Sequence, residues 1–265
     1  MKIFSVKKLT LLFLFFYLPF SGMAWGVLGH RIVGQIADSY LTKSTKKAIA
    51  EILGTESVAM ASNWPDFIKS DPAYNYLSNW HYINIKSGLS YDSVKAYLNT
   101  DTATDAFTKI NFLVAELKNK NLDQQKKILY LRLLIHIVGD VHQPLHVGRL
   151  EDLGGNRLRV LWFKDSTNLH TLWDTHLINF QQLSYTEYAT SINFINKDQR
   201  KKLQQQSLSE WLFESYQVAD KIYSDIKTPH QKLEYAYNFK YVDILNNQLL
   251  KGGVRLAGLL NEIFG

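Results

Sequence analysis

His136-Ile137-Val138-Gly139-Asp140-Val141-His142-Gln143-Pro144-Leu145-His146 is the stretch on which the reading of this chain turns. His136 and Asp140 are four residues apart in an apolar run of helical spacing, Ile128 to Val141, so both side chains leave the same helix face. Pro144 cannot continue that helix, and the turn it forces lets His146 come back toward the same place. Three candidate metal ligands then fall within eleven residues. His170 and Asp174 repeat the four-residue spacing in a second helical segment. Either pair alone reads equally well as a buried, hydrogen-bonded histidine, and it is their accumulation that points to a site.

Working outward, apolar residues recur at helical spacing in Leu28 to Leu41, Ala48 to Leu53, Phe107 to Leu117, Leu208 to Ile226 and Leu233 to Leu260. Gly54, Asp71-Pro72, Gly88, Gly154-Gly155 and Pro229 punctuate them as turns. One stretch, Arg157 to Phe163, is rich in Leu, Val, Trp and Phe after a Gly-Gly-Asn turn and reads as a short strand. With no repeat and no linker composition, the pattern predicts an all-α fold: a single mostly helical domain over residues 25–265 with a short β element near 157–163.

The first 24 residues read differently. Met1 to Thr10 carries three lysines and no acid, Leu9 to Phe20 is almost continuously apolar, and Gly22-Met23-Ala24 places small residues before a cut. This is the layout of a secretory signal peptide, 1–24, and the apolar run of about a dozen residues is short of the roughly 20 that a bilayer span needs. Cleavage after Ala24 would leave Trp25 as the first residue, with no transmembrane anchor. The chain has no cysteine, so disulfides, thiolate metal sites and cysteine nucleophiles are excluded, and export fits a bacterial periplasm or secretion. The net charge of +6 permits an anionic ligand, but no basic cluster of the kind that coats nucleic acid is present.

Further candidate ligands lie upstream. Asn63-Trp64-Pro65-Asp66 and Trp80-His81-Tyr82 each set a polar group among aromatics, where a bare charge is costly and a metal partner valuable. A freed Trp25 would offer its amine and carbonyl as a chelate, with His30 five residues on.

Trp25-Gly26-Val27-Leu28-Gly29-His30, Asn63-Trp64-Pro65-Asp66, Trp80-His81-Tyr82-Ile83-Asn84, the 136–146 stretch, Gly154-Gly155-Asn156 and Asn168-Leu169-His170-Thr171-Leu172-Trp173-Asp174 together resemble the zinc-dependent single-strand nucleases of the S-one/P-one family. That family shares its fold with bacterial zinc phospholipases C, and Gly253-Val254-Arg255-Leu256-Ala257 resembles its last helix. The resemblance implies three zinc ions: one on Asp66, His81, His136 and Asp140; one on His146, His170 and Asp174; and one on the amine and carbonyl of Trp25 with His30, sharing Asp140. It further implies that a zinc-bound hydroxide attacks phosphorus in line, that a zinc receives the leaving 3′-oxygen, and that the products carry 5′-phosphates. Asp66 and Asp140 would then be catalytic as well as ligating.

The implied partners are single-stranded DNA and RNA, or nucleotides, as substrate, with no stable protein partner. Tyr82 stands where the family stacks a nucleobase; the alternative for it is packing. Asn84 replaces an acid that contacts the base in fungal members, and Lys69 replaces an arginine that neutralises phosphate, giving a point charge in place of a fork. His142 fits a supporting position, while His176 and His230 read as surface or core. The leading function is an endonuclease that also acts as a 3′-nucleotidase. The alternatives are a phospholipase C-like phosphodiesterase, which in that family would carry Glu where Asp174 stands, and a zinc-binding protein without catalysis.

Overall fold

The helix Gln124–Asp140 organises the structure because it has no polar face near its end: every residue from Leu133 to Gly148 is buried. Asp123 starts it by accepting a hydrogen bond from the Lys126 backbone N–H at 2.9 Å. The computed structural model describes residues 25–265, so the expected export segment lies outside the described residues. Around the central helix pack Val27–Ser39, Lys43–Leu53, Val58–Ala61, Trp64–Phe67, Ala106–Leu117 and the long Tyr235–Phe264. The fold is mostly helical, as the periodicity predicts. No helix among the described residues is long and apolar enough to cross a membrane.

The first and last helices cross closely. A Cβ on Gly253 would lie 2.5 Å from Cβ of Ile36, so the crossing requires the missing side chain. This contact fixes the N-terminal segment, with Trp25 and His30, against the end of the chain.

The β element is a three-stranded sheet. Arg159–Trp162 pairs antiparallel with Asp165–Asn168, with Arg159 opposite Asn168, and parallel with Gln231–Leu233 on its other edge. Leu233 is therefore in a strand and not in the last helix, which begins at Tyr235. Three residues are too few to show a period of two, and their pairing is with a remote segment. The second helix begins at Lys43, earlier than its apolar residues indicate, because Thr42 caps it by accepting from the Thr45 N–H at 3.1 Å. Lys197–Gln204 escapes hydrophobic periodicity altogether: it buries no residue, and the Asn196 capping box defines its start.

Candidate metal centre

His136 and Asp140 end the central helix, and its C-terminal carbonyls are met by local and distant donors. Val141 N–H bonds to the carbonyl of Ile137 at 3.1 Å and Gln143 N–H to that of Asp140 at 2.8 Å. Pro144 then opens a short 3-10 turn, Pro144–Val147, which presents His146. The helix has already ended at Asp140, so the proline shapes the turn that follows and does not itself terminate the helix.

Three clusters of histidine and aspartate result: His30, Asp66 and His136; His81, His136 and Asp140; and His146, His170 and Asp174. Within each, the potential ligand atoms lie within 4.8 Å of one another. Asp140 joins them. Its Oδ2 is 3.0 Å from His81 Nδ1 and 3.2 Å from His136 Nε2, while Oδ1 is 3.3 Å from His30 Nε2 and 4.0 Å from His146 Nδ1. His170 Nε2 lies 3.2 Å from Asp174 Oδ2.

The expected regular helix around His170 and Asp174 is instead broken: Asp174 sits in a π-helical turn, Leu172–His176, after the short helix Leu169–Thr171. Such turns widen the helix locally and recur at functional sites. The His–Asp pair still meets through it.

Backbone carbonyls set the ring orientations. His136 Nδ1 donates to the carbonyl of Ser62, His146 Nδ1 to that of His81 and His170 Nδ1 to that of Gly154, each at 2.6 Å. Nε2 of each ring is thereby left to face the centre as a lone pair, the arrangement by which metal-ligating histidines are oriented. Gly139 lets His30 in: a Cβ there would lie 2.9 Å from His30 Nδ1.

Burial keeps four of these histidines neutral, and His136 is the exception. Burial lowers His146 to about 3 and His30 and His170 each to about 4, and it lowers His81 as well. His136 is raised, because Asp140 and Asp66 outweigh the burial that acts against its charge. Asp140 stays well below the usual carboxylate range despite burial, owing first to His136 and His146. Burial pushes Asp174 well above that range, although Gln143 Nε2 donates to its Oδ1 at 2.5 Å.

Several inward atoms have no hydrogen-bond partner: both ring nitrogens of His30, Oδ1 of Asp140, Nε2 of His146 and Oδ2 of Asp174. Buried polar atoms rarely go unsatisfied, and a set of nitrogens and carboxylate oxygens converging without partners fits divalent cations. Zinc accepts this His/Asp donor set.

His81, His146 and His170 of these clusters line a cavity of about 670 Å³, together with Lys69, Tyr82 and Asn84. Lys69 pairs with Asp66. Tyr82 is 37% exposed, so it is not a packing residue, and its hydroxyl donates to Asn79 Oδ1 at 3.0 Å. Trp25 is fully buried, and its neighbour Gly26 donates its N–H to the carbonyl of Asp174 at 2.8 Å. Trp25 thus borders the centre.

The family model described as S1/P1 Nuclease matches residues 25–265, the whole described chain. The chain belongs to the S1/P1 nuclease family. Among curated relatives, Endonuclease 3 of Arabidopsis thaliana is 30% identical, covering 91% of this chain and 90% of its own length. Nuclease P1 of Penicillium citrinum is 25% identical, over 91% of this chain and 98% of its own. The solved Alpha Toxin from Clostridium Absonum superposes with a TM-score of 0.49 at 16% identity, over 92% of this chain and 66% of that one. As a member of a nuclease family with nuclease-named relatives, the chain is a hydrolase of phosphodiester bonds.

Some residues of this S1/P1 nuclease centre carry no ligand signature in sequence. Gln143 stands inside the stretch that gives the site away, yet an amide is not a ligand type, and its hold on Asp174 is visible only in three dimensions. Arg159 and Asn168, brought there by the sheet, and Asn156, in the turn before it, also line the cavity. His142 lies behind the centre, with Nδ1 donating to the carbonyl of Val138 at 2.7 Å and Nε2 accepting from Arg255 at 3.0 Å. His176 and His230 belong to none of the three clusters.

Proposed function

We propose that this S1/P1 nuclease is an exported trinuclear-zinc phosphodiesterase that hydrolyses single-stranded DNA and RNA as an endonuclease, removes phosphate from 3′-nucleotides, and leaves 5′-phosphorylated products. One observation carries the reading: three His/Asp clusters, joined through Asp140, turn unpartnered ligand atoms toward one another beneath a cavity walled by Lys69 and Tyr82.

Asp66, His81, His136 and Asp140 would hold one zinc, His146, His170 and Asp174 a second, and Trp25, His30 and Asp140 a third. Zinc bound there would supply a water whose pKa is lowered to about 7 and positive charge against the phosphate. The chain's own groups do the rest. His136, His146 and His170 keep their orientation through their carbonyl anchors, burial holds His146 and His170 neutral, and Asp140 remains ionised at the junction. Lys69, beside Asp66, offers an ammonium to a phosphate oxygen. Tyr82 presents a ring face on which any base can stack, favouring strands whose bases are unpaired. Asn84, half-buried beside it, can donate to and accept from a base edge, which tolerates more than one base.

The test uses mature protein starting at Trp25, with zinc measured by elemental analysis. Single-stranded DNA, RNA and phosphatidylcholine are digested in parallel, with and without chelator. About three zinc ions per chain and chelator-sensitive release of 5′-nucleotides are expected. Hydrolysis of the lipid alone would replace this reading with a phospholipase C, and zinc without either activity would leave a zinc-binding protein.

A further inference from the structure

Two side chains lining the cavity carry a permanent positive charge, Lys69 and Arg159. Lys69 is already compensated by Asp66. Arg159 is exposed and makes no ion pair among the described residues, whereas Arg132, Arg149 and Arg255 are paired with Glu56, Asp220 and Glu214. Its side chain has one hydrogen bond, from Nη2 to Ser166 Oγ at 3.2 Å, which leaves most of a five-donor fork free.

The mounting of Arg159 is rigid. It sits in the central strand of the sheet, opposite Asn168, and its carbonyl accepts from the His230 N–H at 2.8 Å. Asn168 in turn caps the turn that carries His170, accepting from the Thr171 N–H at 2.7 Å. Directly opposed residues of an antiparallel pair stand about 5 Å apart at Cβ. The backbone of Arg159 is therefore held beside Asn168, two residues before His170, and Arg159 and His170 line the same cavity, while Lys69 is anchored beside Asp66. A single phosphate drawn into the centre meets Lys69 and the metal ligands; a second cation on the cavity wall, lacking any carboxylate partner, fits a second anion. A guanidinium grips a phosphate bidentately, which an ammonium cannot.

We propose that Arg159 binds a phosphate of the substrate other than the one hydrolysed, so that the enzyme favours substrates carrying a second, neighbouring phosphate. This rests on the phosphodiesterase reading above.

The test compares kcat/KM for cleavage of the internal diester, read by chromatography so that loss of a 3′-phosphate is scored separately, in dithymidine monophosphate, which has one phosphate, and in the same dinucleotide bearing an added 5′- or 3′-phosphate. The zinc-loaded wild type should prefer one of the phosphorylated forms by about tenfold, expressed in KM and weakening with salt. Arg159→Gln should bring the ratio to about one and Arg159→Lys should keep part of it, with zinc content unchanged in both. Arg159 is exposed, so neither variant threatens folding. A wild-type ratio near one, or a ratio that survives Arg159→Gln, overturns the assignment while the phosphodiesterase stands. A wild type that cleaves none of the three dinucleotides overturns the phosphodiesterase reading and the assignment together.

Discussion

His30 and His136 stack face to face, their ring centroids 3.9 Å apart and 17° from parallel, and each turns Nε2 toward a different oxygen of Asp140. Two imidazoles from separate helices are thus held in register over one carboxylate. Such a stack would be repulsive if both rings were protonated; burial and the neighbouring His136 lower His30 to about 4, which keeps it neutral. The carboxylate divides its oxygens between the clusters, and this makes Asp140 the residue whose loss should matter most.

Asp140→Asn keeps the shape and removes the charge. We expect kcat/KM on single-stranded DNA to fall more than about a hundredfold, with at least one zinc lost per chain, since removing even an outer partner of a ligand costs roughly 10–100-fold. Elemental analysis and initial rates on the same preparation check this. A variant with full zinc and full rate would remove Asp140 from the centre.

Gln143 holds Asp174 from one end of its amide and, through Oε1, accepts the Leu145 N–H at 2.5 Å from the other. Gln143→Leu should weaken zinc binding at the His146, His170 and Asp174 cluster by about 10–100-fold. It should also cost about 1–3 kcal/mol of stability by leaving a buried N–H unpaired. Competition with a calibrated chelator reads the first and urea unfolding the second. An unchanged affinity would reduce Gln143 to a packing role.

These two residues illustrate what was legible in the sequence. The ligand candidates could be found because histidine and aspartate at helical spacing carry a chemical signature, and because His136 and Asp140 stand in a run apolar enough to be recognised as buried helix. Gln143 carries no such signature, and neither do the carbonyls of Ser62, His81 and Gly154 that orient the rings. The hairpin strand was legible from its apolar residues, whereas Gln231–Leu233 was not, because its partner is remote in sequence. The π-helical turn under Asp174 also escaped the spacing argument, since a four-residue separation reads alike in α and π geometry.

Tyr82 presents its ring to the cavity. Stacking is worth about 1–3 kcal/mol per base, so Tyr82→Ala should raise KM for single-stranded DNA by about 5- to 150-fold, with Tyr82→Phe close to wild type. Steady-state kinetics on a defined oligonucleotide decides it. If both variants match wild type, the ring is not a stacking platform.

Processing should matter at the N-terminus. Trp25 is fully buried, and Gly26 is bonded to the backbone of Asp174, so this segment has little room to move. A protein retaining Ala24 has an amide where the proposed ligand is an amine, and it should lose about one zinc and most of its activity. Mass spectrometry of the intact chain beside its zinc content checks this. Full activity with Ala24 in place would sink the N-terminal ligand.

Behind the centre, Arg255 joins Glu214 at 2.7 Å, Gln206 at 2.6 Å and His142 at 3.0 Å, and Lys251 reaches Glu214 at 2.8 Å. Burial favours the neutral acid at Glu214, yet Arg255 and Lys251 prevail and hold it at about 2, against an ordinary 4.5. Because the folded value is the lower one, the pair's contribution is complete above pH 4.5 and is lost as pH falls toward 2. Allowing for the partial exposure of the carboxylate, that contribution is on the order of 1–3 kcal/mol. Glu214→Gln should therefore be less stable than wild type at pH 7, with the gap narrowing as pH drops below 4.5. Urea unfolding of both proteins from pH 7 down to about 3.5 measures the gap directly. Parallel stability curves across that range would show that Glu214 is not ionised by its partners in the folded chain, and the ion pair would then have no part in anchoring the last helix to the helix Leu208–Asp225.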